Sequence, residues 1–264
     1  MQLKMQQVDA FTDELFKGNS AAVIVLQSWL DEALMQSIAI ENNLSETAFA
    51  RQVAEDRYEL RWFSPITEIA FCGHATLATA FVLFGQYPTI ERLCFSAPAV
   101  GEMIIQRGDD GLIDMDFPHR PPTALAVVPE ALRSGLSIAP VEVLRNEQAY
   151  FVIYDEARDV REVEPDLALL RQLAPYDVVV TAAADDDYDF ISRYFWPASG
   201  GGEDPVTGSI HTGLAPLWAE RLDKTELLAY QASQRGGKLH CRVGEQTIRV
   251  SGRAVLYLEG VIEV

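Results

Sequence analysis

Glu46, His74, Asp204 and Cys72 are the side chains whose type and setting allow proton chemistry. His74 directly follows Gly73, where a glycine opens an apolar run with the pattern of a helix start; an imidazole at a helix mouth can donate to a carboxylate or relay a proton. Glu46, in Asn42-Asn43-Leu44-Ser45-Glu46-Thr47-Ala48-Phe49, falls where a helix has ended and an apolar strand begins. It reads either as an exposed first residue of the strand or as an acid–base group, because a carboxyl in an apolar cleft holds its proton more tightly. Asp204, in Glu203-Asp204-Pro205, lies four residues before Gly208. It either turns toward a ligand or caps the free N–H groups of its loop. Cys72 stands where a racemase of the two-thiol type would carry one thiol. Its partner by internal alignment is Thr207, whose hydroxyl cannot serve as a carbon base, so Cys72 reads as a small packed residue. His119, His211 and His240 have no such setting and read as structural or exposed.

The elements that must position these groups are duplicated. Arg61-Trp62-Phe63-Ser64-Pro65 leads into Cys72-Gly73-His74-Ala75-Thr76, and Arg193-Tyr194-Phe195-Trp196-Pro197 leads into Thr207-Gly208-Ser209-Ile210-His211, an offset of 132 in a chain of 264 residues. Each copy reads as a strand stopped by proline, a polar loop, then a glycine opening a helix. Free N–H groups and the positive end of a helix dipole favour an anion, so two such termini predict a small acid held between the halves.

Composition fits a globular protein with enough apolar residues for a core in each half: 48% hydrophobic and 23% charged. Lys and Arg total 21 against 39 Asp and Glu, a net charge of −18. That field repels nucleic acid and anionic lipid, so neither is expected as a partner, and a carboxylate site must rely on local donors. Cys72, Cys94 and Cys241 are widely spaced, with no metal-ligand pattern and no disulfide framework, which suits a reducing compartment. No leader and no membrane-length apolar run is evident, so the expectation is a cytoplasmic protein.

Strands are predicted at Met5–Phe11, Ala21–Leu26, Thr47–Val53, Tyr58–Phe63, Leu93–Phe95, Gly101–Gln106 and Leu112–Phe117, with a surface helix over Asp31–Asn42 and a buried one over Ala75–Phe84. In the second half, strands are predicted at Ala149–Tyr154, Val178–Ala182, Phe190–Phe195, Leu239–Val243, Gln246–Val250 and Ala254–Val264, with helices over Pro165–Leu173 and from Gly208 to about Arg221. Asp185-Asp186-Asp187 reads as a solvated hairpin tip. His119-Arg120-Pro121-Pro122 is the expected junction, giving halves 1–118 and 119–264, with the last strand, 256–264, a candidate for recruitment to the first. The class is α+β: two pseudo-symmetric domains, each a curved, mostly antiparallel sheet wrapped around a central helix.

Asp9-Ala10-Phe11-Thr12, Gly18-Asn19, Asn43-Leu44-Ser45-Glu46-Thr47, Cys72-Gly73-His74-Ala75-Thr76-Leu77-Ala78 and Glu203-Asp204-Pro205-Val206-Thr207-Gly208-Ser209, with Gly236-Gly237 and Gly252-Arg253-Ala254-Val255, resemble the phenazine-biosynthesis PhzF-like family. The likeness spans almost the whole chain. It implies a diaminopimelate epimerase-like fold and an isomerase that moves a proton between carbons without cofactor or metal. The resemblance assigns Glu46 as the base, with His74 and Asp204 beside it as further catalytic groups. Ser45, Gly73, Thr207, Gly208 and Ser209 are the implied substrate-binding positions, whose donors hold carboxylate or enolate charge. The expected substrate is a small unsaturated or cyclic carboxylate, and a homodimer fits the family. Two alternatives stay open: a racemase or epimerase using Cys72, and a non-catalytic ligand- or partner-binding protein on the same scaffold.

Overall fold

The computed structural model describes residues 1–264 and divides into two compact units, Met1–Asp116 with Ser251–Val264, and Phe117–Val250. The strand-rich α+β architecture is the expected one. In the first unit, Gln2–Ala10 pairs antiparallel with Ala254–Glu263 on one side and with Asn19–Leu26 on the other. Asn19–Leu26 then runs parallel to Glu46–Ala54, which is antiparallel to Arg57–Phe63; that strand is parallel to Arg92–Ala97, followed antiparallel by Gly101–Arg107. A parallel pair needs a long crossover. The two crossovers hold the helices Glu32–Asn42 and Gly73–Gln86.

The second unit repeats this order of pairings. Glu142–Arg145 and Ala149–Ile153 are antiparallel, Ala149–Ile153 and Asp177–Ala183 parallel, Asp177–Ala183 and Phe190–Phe195 antiparallel. Phe190–Phe195 is then parallel to Glu226–Gln231, which is antiparallel to Gly237–Val243. Its second crossover carries the helix His211–Leu222. Duplication is therefore written in strand polarity as well as in the repeated Arg-aromatic-Phe-x-Pro blocks.

Each unit buries one crossover helix. Almost every residue of Gly73–Phe84 is buried, and the helix packs on Gln2–Ala10, Asn19–Leu26 and Glu46–Ala54. The apolar run with little polar face thus became the pole around which the sheet curves. In the second unit, Trp218 stacks on Phe190 at 5.9 Å and donates its indole N–H to Thr181 Oγ1 at 2.9 Å. Pro216 lies inside the helix and has no N–H for the Thr212 carbonyl. That carbonyl instead accepts from the Arg120 N–H at 3.1 Å, so the helix continues without an orphaned acceptor.

Other elements differ from expectation. Pro165–Leu173 is not one helix but Leu167–Leu170, capped by Asp166, followed by a 3-10 turn at Arg171–Leu173. The short helices Glu130–Ser134 and Ala157–Glu162 were not predicted; both are too brief to show a period. The acidic tip is partly neutralised rather than merely solvated: Arg161 reaches Asp185 and Asp186, each at 3.0 Å. No helix is long and apolar enough to cross a membrane.

Candidate active site

In the first unit, Glu46 and His74 meet. Glu46 opens its strand, as expected, but its side chain is only 12% exposed, which rules out the exposed-residue reading. Its Oε2 lies 3.0 Å from His74 Nε2. The approach is a close contact off the axis of a hydrogen bond, so this buried oxygen has no hydrogen-bonding partner. The other ring nitrogen, Nδ1, is 3.2 Å from Asn19 Nδ2. A donating amide there leaves Nδ1 an acceptor and puts the imidazole proton on Nε2, on the Glu46 side.

Asn19 is itself wholly buried at the first position of its strand. It is aimed by the preceding turn, where Gly18 has φ +65° and a side chain at that position would strike the Ala10 carbonyl. Asp9 clamps the same hairpin, accepting from the Ser20 hydroxyl and from the Phe16 N–H at 3.1 Å. The Asp-Ala-Phe-Thr and Gly-Asn blocks are thus a device for placing one amide against one imidazole. Asn19 was not among the expected site residues, although its Gly-Asn turn was visible.

Cys72 is the N-cap of the buried helix, makes no side-chain cap and puts Sγ 3.4 Å from His74 Nδ1. Gly73 begins the helix, and Ser45 immediately precedes Glu46, half-buried. One ligand atom each from Glu46, Cys72 and His74 lies within 4.8 Å of the others, so this trio could also hold a metal ion.

In the second unit, Asp204 pairs with Tyr194 in a two-residue strand and accepts from the Thr207 hydroxyl. Thr207 is fixed in turn by Gln231, which takes the Thr207 N–H at 2.9 Å and donates to the Thr207 hydroxyl at 3.2 Å and to the Asp204 carbonyl at 2.9 Å. Asp204 thus ties its own loop, as the capping reading expects, but through a side-chain hydroxyl rather than a backbone N–H. Gly208 and Ser209 precede His211–Leu222, and Ser209 Oγ accepts from Gln148 Nε2 at 3.0 Å. His211 is structural, as expected: fully buried, with Nδ1 on the Thr207 carbonyl at 2.9 Å. Burial pushes its pKa down from 6.5 to about 4, opposed by that bond, so it is neutral at pH 7. Trp62 and Tyr194 are core residues, 1% and 4% exposed. His119 donates from Nε2 to the Gly244 carbonyl at 2.8 Å and stays outside this chemistry.

The repeated Arg-aromatic-Phe blocks, the buried helix mouths and the Glu46–His74 contact now stand beside what the chain matches. A family model for phenazine biosynthesis-like proteins, PhzC-PhzF, matches residues 8–260. The chain belongs to this family. It is similar to a protein of Pseudomonas aeruginosa named as an uncharacterized isomerase, 46% identical over 265 residues and covering 100% of both chains. Among solved structures, a PhzF-family phenazine biosynthesis protein of Enterococcus faecalis superposes with a TM-score of 0.93 at 42% identity, over 100% of each chain. A hydroxyproline epimerase of Agrobacterium vitis shares the fold at 12% identity, with a TM-score of 0.59 over 99% of this chain and 92% of its own.

Proposed function

We propose that this PhzF-family chain is a cofactor-independent isomerase that shifts a proton between carbons of a small unsaturated or cyclic carboxylate, with Glu46 as the group that removes and returns it. The observation that carries this reading is the buried Glu46 Oε2 with no hydrogen-bonding partner, 3.0 Å from His74 Nε2. A buried carboxylate oxygen left unpaired is costly, and such groups are retained where a ligand or a proton uses them. The whole-length relative named as an isomerase supports the reaction class.

In this reading the Glu46 carboxylate takes the proton from the carbon next to the substrate carboxylate. The C–H electron pair becomes a new C=C bond, and the old double bond delivers its electrons to the third carbon, which takes the proton back from Glu46. In the first unit, charge that builds on the substrate carboxylate is met by N–H and O–H donors at Ser45 and Gly73, the kind of fixed dipoles that stabilise such intermediates, and the second unit carries donors of the same kind at Gly208 and Ser209. His74, its proton on Nε2, orients Glu46 and can share the moving proton. In the second unit Asp204, held by the Thr207 hydroxyl, has the role of proton acceptor or orienter that the family resemblance implies.

The Cys72 thiol, 3.4 Å from His74 Nδ1, supports a second reading as an epimerase or racemase. Against it stands Thr207, the repeat counterpart of Cys72, whose hydroxyl is given to Asp204. One experiment separates the readings. Small carboxylates are screened by thermal stabilisation, since a ligand at a hundred times its dissociation constant adds about 2.7 kcal/mol. Hits are then followed by proton NMR in D2O with wild type, Glu46→Gln and Cys72→Ser. Deuterium arriving at the third carbon with the double bond moved, lost in Glu46→Gln and kept in Cys72→Ser, supports the isomerase. Inversion at one carbon that depends on Cys72 supports the epimerase, and binding without turnover supports a scaffold role. Full activity in Glu46→Gln overturns the proposal.

A further inference from the structure

The strand register of the two units assigns a counterpart to Glu46. Trp62 pairs with Ala48 in the first unit, and Tyr194, the equivalent of Trp62 in the repeated block, pairs with Val179 in the second. Two residues upstream on these strands stand Glu46 and Asp177. The parallel neighbours agree, Ala21 facing Glu46 and Ala149 facing Asp177. Likewise His74 and Ser209 each follow the repeated glycine. In the first unit the acid touches the helix-mouth residue directly. In the second both side chains are shorter, and two residues span the gap: Tyr194 donates to Asp177 Oδ2 at 2.7 Å, while Gln148 Nε2 donates to the Tyr194 hydroxyl at 3.1 Å and to Ser209 Oγ at 3.0 Å.

We infer that Asp177, Tyr194 and Gln148 are positioning residues that hold the Ser209 hydroxyl as an outward hydrogen-bond donor to the carboxylate of a bound substrate. The inference deepens the isomerase reading, on which the identity of that substrate rests. Its logic is the direction of each hydrogen. The Tyr194 proton is committed to Asp177, so the phenol oxygen can only accept, and what it accepts is an N–H of Gln148. The amide is thereby fixed with its NH2 group facing both hydroxyls, and its second hydrogen enters a lone pair of Ser209. The Ser209 proton, refused by the amide, is free for an anion at the helix mouth. Burial supports the chain: Tyr194 is 4% exposed, and the second Asp177 oxygen, Oδ1, is buried with no partner. The Gln148 backbone is anchored as well, its N–H on Asn146 Oδ1 at 2.8 Å and its carbonyl taking the Asp177 N–H at 3.1 Å.

Benzoate is the probe, a carboxylate with no transferable proton, so its binding reads the donor set and not turnover. Titration calorimetry of wild type, Gln148→Glu, Ser209→Ala and the double variant forms a double-mutant cycle. A glutamate at 148 would accept the Ser209 proton and turn it inward. The expected result is about tenfold weaker binding in each single variant, the worth of a hydrogen bond to a charged group, and no further loss in the double. Tyr194→Phe, which keeps the core filled, should weaken benzoate several-fold, again only when Ser209 is present. Wild-type affinity in Gln148→Glu or in Tyr194→Phe, additive losses in the double variant, or no benzoate bound by the wild-type protein would each overturn the inference. The isomerase reading fails separately, through Glu46→Gln, a residue the benzoate cycle leaves untouched.

Discussion

Gln231 and Thr207 are joined twice: the Gln231 carbonyl oxygen takes the Thr207 N–H at 2.9 Å, and its amide nitrogen gives a hydrogen to the Thr207 hydroxyl at 3.2 Å. The same nitrogen reaches the Asp204 carbonyl at 2.9 Å, so one wholly buried side chain ties the ends of the Asp204–Thr207 loop. Replacing it leaves buried donors and acceptors without partners, each costing about 1–3 kcal/mol. Gln231→Leu should therefore lose about 3 kcal/mol in urea unfolding, with turnover falling more than stability accounts for. Gln231→Glu, which keeps the acceptor and loses the donor, should fall between Leu and wild type. Equal stability of Gln231→Leu and wild type would remove the loop clamp from the site.

Asp177 and His211 give opposite pH dependences over the same interval. Burial pushes the Asp177 carboxyl up from 3.8 to about 6 against its Tyr194 hydrogen bond, so the native state binds this proton more tightly than the unfolded chain. Its stabilisation is present below about pH 4 and lost as pH rises through 6. His211, pushed down from 6.5 to about 4, contributes stability above pH 6.5 that is lost as pH falls through 4. Each shift corresponds to about 3 kcal/mol, so wild-type stability should change little between pH 4 and 6 on account of these two groups. Asp177→Asn should unmask the histidine, losing about 3 kcal/mol on acidification. His211→Gln should unmask the aspartate and gain stability over the same range. Urea titrations at several pH values check both, and parallel profiles in the two variants would refute the assignment.

What the sequence made legible is what repeats or carries a motif. The Arg-aromatic-Phe-x-Pro blocks, both glycines and the buried helix at Gly73–Gln86 were readable because proline, glycine and a run of apolar residues each act locally on the backbone. Glu46, His74, Asp204 and Thr207 were visible as ionisable or hydroxyl groups next to those signals. Asn19, Gln148 and Gln231 were not singled out. Neutral amides carry no period and no charge, and what makes them matter is a partner 55, 61 or 24 residues away. Asp177 was hidden for a related reason: an acid at the start of a strand looks like a surface residue until strand register sets it opposite Ala149, level with Glu46.

Gly18 is where backbone conformation sets the Asn19–His74 contact of the first unit. Its φ of +65° lies in the left-handed region, and the adjoining pair Ala10–Asn19 is locked across two strands, so the chain cannot retreat from a new side chain. Gly18→Ala should cost upwards of about 2 kcal/mol, combining strain and collision with the Ala10 carbonyl. The following residue, Asn19, would move with it, and His74 Nδ1 would lose its donor. Stability and turnover should fall together in Gly18→Ala, whereas Asn19→Ala should spare more of the stability and lose the turnover. A fully active Gly18→Ala protein would show that this turn does not set the imidazole.

Arg61 and Arg193, equivalent in the repeat, offer an internal comparison of a more exposed and a half-buried ion pair. Each guanidinium lies 5.1 Å from the ring two residues on, Phe63 or Phe195, and each grips a glutamate on the neighbouring two-residue strand. Arg193 holds Glu203 through two nitrogens at 2.7 and 3.0 Å and donates to the Val163 carbonyl at 2.8 Å, with 14% and 27% of the two side chains exposed. Arg61 is 21% exposed, but its partners Glu32 and Glu68 are 71% and 36% exposed. Removing one partner of a buried pair strands the other, costing about 3–5 kcal/mol, whereas a solvent-screened pair is worth about 0–1 kcal/mol. Arg193→Met should therefore lose about 3 kcal/mol and Arg61→Met about 1 kcal/mol, read by urea unfolding. Because Glu203 precedes Asp204, Arg193→Met should also disturb turnover, and Arg193→Lys should not restore it, lacking the two-pronged fork. Equal losses at the two positions would mean that burial of the glutamate does not decide the difference, and that the second copy holds its loop by other means.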